Sequence, residues 1–245
     1  VGWMEEDKHP EATVGVELLQ RAAELKHPVA CRILGRMYLN GNPQIKKDLK
    51  KALDWFQKGA EYNDPQSARM ASLMLFYEEI FKKTPAEEVK KAFERALELE
   101  TFSVAFEYAQ YMEQTVKDQK KAKELYELAA AHDDPRAMLR LHYLLFETET
   151  EMDKAAAYLR KAIELQHAEA NLRLGYLQDL VQEPRRAFIC YLNSKINDEN
   201  AEANFKLAEC LLNGYGCEVN HQAFLACAGK AYQDGHADVC YLLGT

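Results

Sequence analysis

The residues of this chain with the most direct chemical reach are seven histidines and six cysteines. Three of the histidines, His27, His167 and His236, would carry metal or proton-transfer chemistry if they converged. They instead occupy one equivalent turn position in separate segments, where other segments carry Asp or Asn, so turn formation explains them. No His-Glu-x-x-His pair places two imidazoles on one helix face, and no Cys/His cluster has zinc spacing. The cysteines, at 31, 190, 210, 217, 227 and 240, include no Cys-x-x-Cys. They read as small buried hydrophobes with free thiols, which favours a reducing compartment. Gly214-Tyr215-Gly216 has the glycines of a phosphate loop, but no strand precedes it and no Lys-Ser/Thr follows, so it reads as a turn. Carboxylate pairs such as Glu5-Glu6 and Glu87-Glu88 are adjacent on helices and diverge. No Ser/His/Asp or Cys/His arrangement and no Gly-x-Ser-x-Gly stands in the chain. The expectation is no catalytic residue, no metal and no cofactor.

Recognition chemistry, by contrast, recurs at a fixed spacing. Arg140, Arg173 and Lys206 are 33 residues apart, and so are Tyr143 and Tyr176. Arginine and tyrosine dominate binding hot spots because they desolvate a large area and still hydrogen-bond. In the N-terminal half the same two positions hold Ile33, Met70 and Glu107, then Arg36, Leu73 and Gln110, with Tyr77 one turn beyond. The candidate binding stripe is therefore Arg36, Met70, Leu73, Tyr77 and Gln110, continued by Arg140, Tyr143, Arg173, Tyr176 and Lys206. Its first half is aliphatic and its second half basic and aromatic.

Such a stripe needs repeated elements to hold it. Segments begin at Pro28, Pro65, Phe102, Pro135, Ala168, Ala201 and Ala237, at intervals of 37, 37, 33, 33, 33 and 36 residues. Six residues into each stand Leu34, Ala71, Tyr108, Leu141, Leu174, Leu207 and Leu243. The next column is mostly small: Gly35, Ser72, Ala109, His142, Gly175, Ala208 and Gly244. Small and apolar residues at offsets 2, 6, 9 and 13 trace one face of a helix. The preceding residues are His27, Asp64, Thr101, Asp134, His167, Asn200 and His236; the Asp, Thr and Asn are preferred N-caps. Proline at 65 and 135 suits the first helical position. A second helix follows in each unit, over Lys46–Tyr62, Glu87–Leu99 and Lys120–Ala131 for example. Thr84-Pro85-Ala86-Glu87 reads as a capping box. The basic pairs Lys46-Lys47, Lys50-Lys51, Lys90-Lys91, Lys120-Lys121 and Arg185-Arg186 fall near second-helix starts and read as a solvated outer face. Two-helix units cannot bury their apolar faces alone, so they stack.

Composition agrees with a soluble helical array. Hydrophobic residues make up 48% of the 245, while Gly and Pro number only 11 and 7. The formal charge of −8 disfavours general binding to nucleic acid or anionic membranes. No apolar run reaches the roughly 18 residues of a membrane span. Val1-Gly2-Trp3-Met4 parallels Leu34-Gly35-Arg36-Met37, and Leu243-Gly244 repeats the Leu-Gly pair. The chain is thus expected to begin and stop inside first helices, as an excerpt of a longer protein, and a periplasmic or secreted setting stays open.

With these columns in place, the chain resembles the Sel1-like repeat family, a relative of the tetratricopeptide repeats. The likeness is carried by Leu34-Gly35, Tyr38, Asn40-Gly41, Asp48, Ala52, Trp55, Lys58 and Ala60. It returns in Leu211, Asn213-Gly214-Tyr215-Gly216, Ala223, Ala231-Tyr232 and Gly235-His236-Ala237. Units from 102 to 200 lack the Gly-x-Gly loop and look closer to tetratricopeptide repeats. The resemblance implies an all-α, right-handed α-solenoid, one domain over 1–245, whose first helices line a concave groove. It implies a non-catalytic adaptor that holds another protein, an effector, toxin or complex subunit with an acidic contact surface. Two alternatives stand beside it: an immunity protein that neutralises a secreted enzyme by tight 1:1 binding, and the regulatory arm of an enzyme whose catalytic domain lies outside this chain.

Overall fold

The computed structural model describes residues 10–42, 45–77, 84–147, 151–197 and 200–244. Every regular element among them is helical, and none is a strand. The expected partial helix at Val1–Met4 and the pair Glu5-Glu6 lie outside the described residues.

Contacts divide the chain into two compact units, Val1–His132 and Asp133–Thr245. The first unit holds α1 (Pro10–Glu24), α2 (Pro28–Asn40), α3 (Leu49–Glu61), α4 (Pro65–Tyr77), α5 (Ala86–Glu98), α6 (Ala105–Tyr111) and α7 (Gln119–Ala131). The second holds α8 (Pro135–Glu147), α9 (Met152–Glu164), α10 (Ala168–Leu180), α11 (Pro184–Asn197), α12 (Ala201–Asn213), α13 (His221–Gln233) and α14 (Val239–Leu243). First and second helices alternate within each unit as the periodicity requires.

Capping residues set the boundaries. Asp64 accepts from the amide of Ser67 at 2.8 Å, Asp134 from Arg136 at 2.9 Å and Asn200 from Glu202 at 2.8 Å. Pro65 and Pro135 open α4 and α8, where the missing amide proton costs nothing. Asp48, Asp118 and Asn220 cap the second helices α3, α7 and α13. Residues 46–48 therefore precede α3 instead of starting it.

Two N-termini differ from expectation. Pro85, not Thr84, occupies the N-cap of α5, which makes no side-chain cap bond. This shift puts Glu87 at the second helical position, out of register for a capping box. Thr101 spends its hydroxyl on the carbonyl of Ala96, at 2.6 Å, and caps nothing. The first turn from Phe102 to Val104 consequently closes as a 3₁₀ helix before α6 begins, and Met112–Val116 widens to a π-helical turn.

Most of the described junctions from a second helix to the next first helix are three-residue links with a left-handed residue at the centre. Lys26, Asn63, Glu100, Asp133 and Gln166 adopt φ of 65°, 63°, 58°, 60° and 58°, and Gly235 takes the same place with φ 87°. The following amide reaches back into the last turn: His27 to Ala22, Asp64 to Gly59, Thr101 to Ala96, His167 to Ala162 and His236 to Ala231. These reverse bonds satisfy helix-terminal carbonyls, offsetting a left-handed penalty of roughly 1–2 kcal/mol at each non-glycine residue.

Close helix contact explains the small column. A Cβ on Gly35 would sit 2.7 Å from the Phe56 ring, and one on Gly175 would overlap the Tyr191 ring. Thus an aromatic from the second helix lies flat against the first. Four residues after Ala52, Val89, Ala122 and Ala187 stand Phe56, Phe93, Tyr126 and Tyr191, all buried. In α9 the residue four after Ala155 is Leu159. Its partner on α8 is not small but is His142, whose imidazole supplies a ring from the opposite side.

Candidate functional site

The Leu column has the expected phase: Leu34, Leu141 and Leu207 are buried. Leu174 is only half-buried and borders a cleft of 260 Å³ that it lines together with His142, Phe146, Ala155 and Leu159. With the apolar columns turned inward, the two stripe positions on each first helix lie on another face.

In the first unit the stripe is mixed. Arg36 is exposed, and Ile33 and Tyr77 are 39% and 59% exposed. Met70, Leu73 and Gln110 are half-buried. Glu107 is buried on α6, and the Tyr77 hydroxyl donates to it at 3.4 Å. This links α4 to α6 through the stripe residues themselves.

In the second unit the stripe becomes a stack. Arg173 on α10 lies over the Tyr143 ring of α8, its guanidinium carbon 5.1 Å from the centroid, and over Phe146 at 4.9 Å. Lys206 on α12 lies over the Tyr176 ring of α10 at 5.6 Å and over Phe205 at 5.3 Å. Each cation thus rests on the tyrosine of the preceding helix pair, at a distance where ring quadrupole attraction is effective. Arg140 lies close enough to Tyr143 to favour its ionised form. Burial and Glu169 nevertheless push the Tyr143 hydroxyl up, against the pull of Arg173 and Arg140.

Carboxylates are interleaved with these cations. Lys206 pairs with Glu209 at 2.8 Å. Glu202 accepts from the Tyr176 hydroxyl and meets His236 Nε2 at 2.7 Å. Burial opposes ionisation of Glu202, but these two hydrogen bonds and the charges of His236 and Lys206 hold its pKa below the usual value. Burial and the Glu202 hydrogen bond push the Tyr176 hydroxyl well up. His236, expected to serve the turn alone, is stacked on Phe205 with ring centroids 4.2 Å apart. Spacing gave no sign of this role.

His142 is the other residue that sequence reasoning passed over. It is 2% exposed. Its Nδ1 lies 3.0 Å from the carbonyl oxygen of Ala155, and its Nε2 accepts from Arg173 Nε at 3.4 Å. Burial lowers its pKa, with Arg173 acting in the same sense and the Ala155 hydrogen bond opposing. The only signal in the sequence was a large polar residue in an otherwise small column.

Elsewhere, Gly214 and Gly216 have φ of 70° and 74°, and a Cβ on Gly216 would collide with Pro184. The Gly-Tyr-Gly segment is a turn pressed against α11. Lys120, Lys121, Arg185 and Arg186 are exposed. Among the described residues no group of three His, Cys, Asp or Glu could hold a metal ion, and no helix is long and apolar enough to cross a membrane. The six thiols are unpaired; four are buried, Cys217 is half-buried and Cys240 exposed.

Solved structures share the paired-helix fold. A Sel1 repeat protein from Oxalobacter formigenes superposes with a TM-score of 0.81 at 20% identity, covering 93% of this chain and 68% of that one. A protective antigen present in uropathogenic Escherichia coli, with the same repeat fold, gives 0.77 at 21% identity over 91% of this chain; the chain spans 50% of its length. An immunity protein from Pseudomonas aeruginosa gives 0.56 at 15% identity, covering 83% and 80%. No curated protein matches the sequence significantly. The Sel1 repeat family model matches residues 12–27, 28–64, 103–134, 142–167, 168–193 and 201–236, well over half of the chain. Together with the paired helices and their glycine-to-ring contacts, these matches show that the chain belongs to the Sel1 repeat family, a protein-interaction fold.

Proposed function

We propose that this chain is a non-catalytic scaffold that holds a partner protein against its first helices. The observation that carries the reading is the stack of Tyr143, Arg173, Tyr176 and Lys206 across α8, α10 and α12. Side chains held by one another lose little freedom on binding, so contact with them is not offset by ordering costs. Arg36, Met70, Leu73, Tyr77 and Gln110 supply a second, more apolar patch in the first unit. Acidic partner groups are expected at the stack and apolar partner groups at that patch.

The same residues would serve an inhibitor that grips a secreted enzyme 1:1, and an immunity protein is among the similar structures. A single experiment addresses both. A photo-crosslinking amino acid is placed at Arg36, Gln110 or Lys121 in the full chain, and captured proteins are then produced pure for binding. One protein captured from positions 36 and 110 but not from 121 supports the scaffold; capture from 121 alone defeats it. If the captured protein is an enzyme that loses activity in the 1:1 complex, the inhibitor reading holds.

A further inference from the structure

We infer that Arg173 is the anchoring point for one carboxylate of the bound partner and that His142 is the residue that positions it. The inference rests on the scaffold reading and narrows it to one side chain.

The guanidinium is fixed from three directions. Tyr143 and Phe146 carry it at 5.1 and 4.9 Å. On its inner edge Nε donates to His142 Nε2. The direction of that bond follows from the carbonyl of Ala155, which can only accept. Nδ1 must therefore carry the proton, leaving a lone pair on Nε2 for Arg173. The imidazole is neutral and its tautomer is set by the backbone of α9.

What is left is the terminal edge of the fork, where the two NH₂ groups present parallel N–H bonds. That edge matches the two oxygens of a carboxylate, the bidentate pairing in which arginine surpasses lysine. Lys206 differs, because Glu209 already closes it at 2.8 Å. No carboxylate among the described residues pairs with Arg173. Glu169, one turn earlier on α10, raises the Tyr143 pKa but forms no ion pair with Arg173. Its charge disfavours dianionic groups more than a single carboxylate. The ligand is accordingly a carboxylate of a peptide, borne either by an acidic side chain or by a free C-terminus.

The test uses the full chain with ¹⁵N-labelled arginine, following the Arg173 Nε–H resonance at constant ionic strength. One probe is a blocked peptide with a single Glu; the second is a peptide with a free C-terminal carboxylate and no acidic side chain. Each is paired with its neutral amide. A saturable shift with the first probe assigns a side-chain carboxylate, and with the second a C-terminal one. Arg173→Lys should weaken that binding about tenfold, the loss of one charge-assisted hydrogen bond. Glu169→Gln should tighten it. His142→Phe keeps a ring but no acceptor and should weaken it, while His142→Gln restores both hydrogen bonds and should rescue it at unchanged melting temperature. Equal shifts from the neutral amides, or unchanged affinity in Arg173→Lys, would overturn the assignment. If a partner maps to positions 36 and 110 yet binds Arg173→Lys normally, the scaffold stands and the anchor fails.

Discussion

Arg173 and Tyr143 belong to successive first helices, and the guanidinium of one lies 5.1 Å from the ring centroid of the other. Their spacing of 30 residues converts a sequence period into a physical contact between helix pairs. Replacing Tyr143 with Leu keeps apolar area but removes the ring face. Equilibrium urea unfolding should show a loss of about 0.5–2 kcal/mol, and partner affinity should fall with it. Wild-type stability in that variant would mean the stacking contributes nothing.

The two leucines of the repeated column should respond differently. Leu141 is wholly buried, so Leu141→Ala should cost about 2–5 kcal/mol. Leu174 borders a cleft and is half-buried, so Leu174→Ala should cost less, roughly 1–2 kcal/mol. Chemical denaturation of both variants checks the order, and a larger loss at 174 would contradict the packing described.

His142 should leave a mark on the pH dependence of stability. Its folded pKa is depressed below 6.5, chiefly by burial. Below 6.5 the unfolded chain therefore binds the proton more readily than the folded one. The stabilisation is full above that pH and is lost as pH falls toward the folded value. Subtracting the profile of His142→Phe from the wild type should isolate this component. A difference that is flat from pH 7 to 5 would show that His142 is not held neutral.

Thiol reactivity should follow burial. Cys240 is exposed and should react first with a thiol reagent in the native protein. Cys210, pushed up to about 12 by burial and then by Cys217 and nearby carboxylates, should react only on unfolding. Denaturation without reductant should release six thiols; recovery of none would mean three disulfides.

The helix pairs were legible in the sequence because offsets of 2, 6, 9 and 13, with Asp, Asn and Pro at the starts, encode helix faces and ends locally. The left-handed residues were not. Lys26, Asn63, Glu100, Asp133 and Gln166 are unlike one another and only Gly235 is a glycine, so the conformation is imposed by the following helix instead of by residue type. Period 33 brought out Arg140, Arg173 and Lys206 but not what they touch. Carboxylates such as Glu202, and His236 34 residues later, meet through a contact between helix pairs that no within-helix period reveals. His142 hid in its column because its ring replaces an aromatic from the opposite helix, a swap that appears only once both helices are in place.

The scaffold assignment is tested most directly by the affinity of the pure crosslinked partner for two charge-reversed forms of the full chain. One carries Arg140→Glu and Arg173→Glu; the other carries Lys120→Glu and Lys121→Glu, at exposed positions on α7. Both change net charge equally, so general electrostatics cancels between them. The reversal at 140 and 173 should abolish measurable binding with helicity retained, while the α7 reversal should leave the affinity within about threefold of wild type. Stronger loss from Lys120 and Lys121 than from Arg140 and Arg173 would contradict it and place the working surface on the second helices.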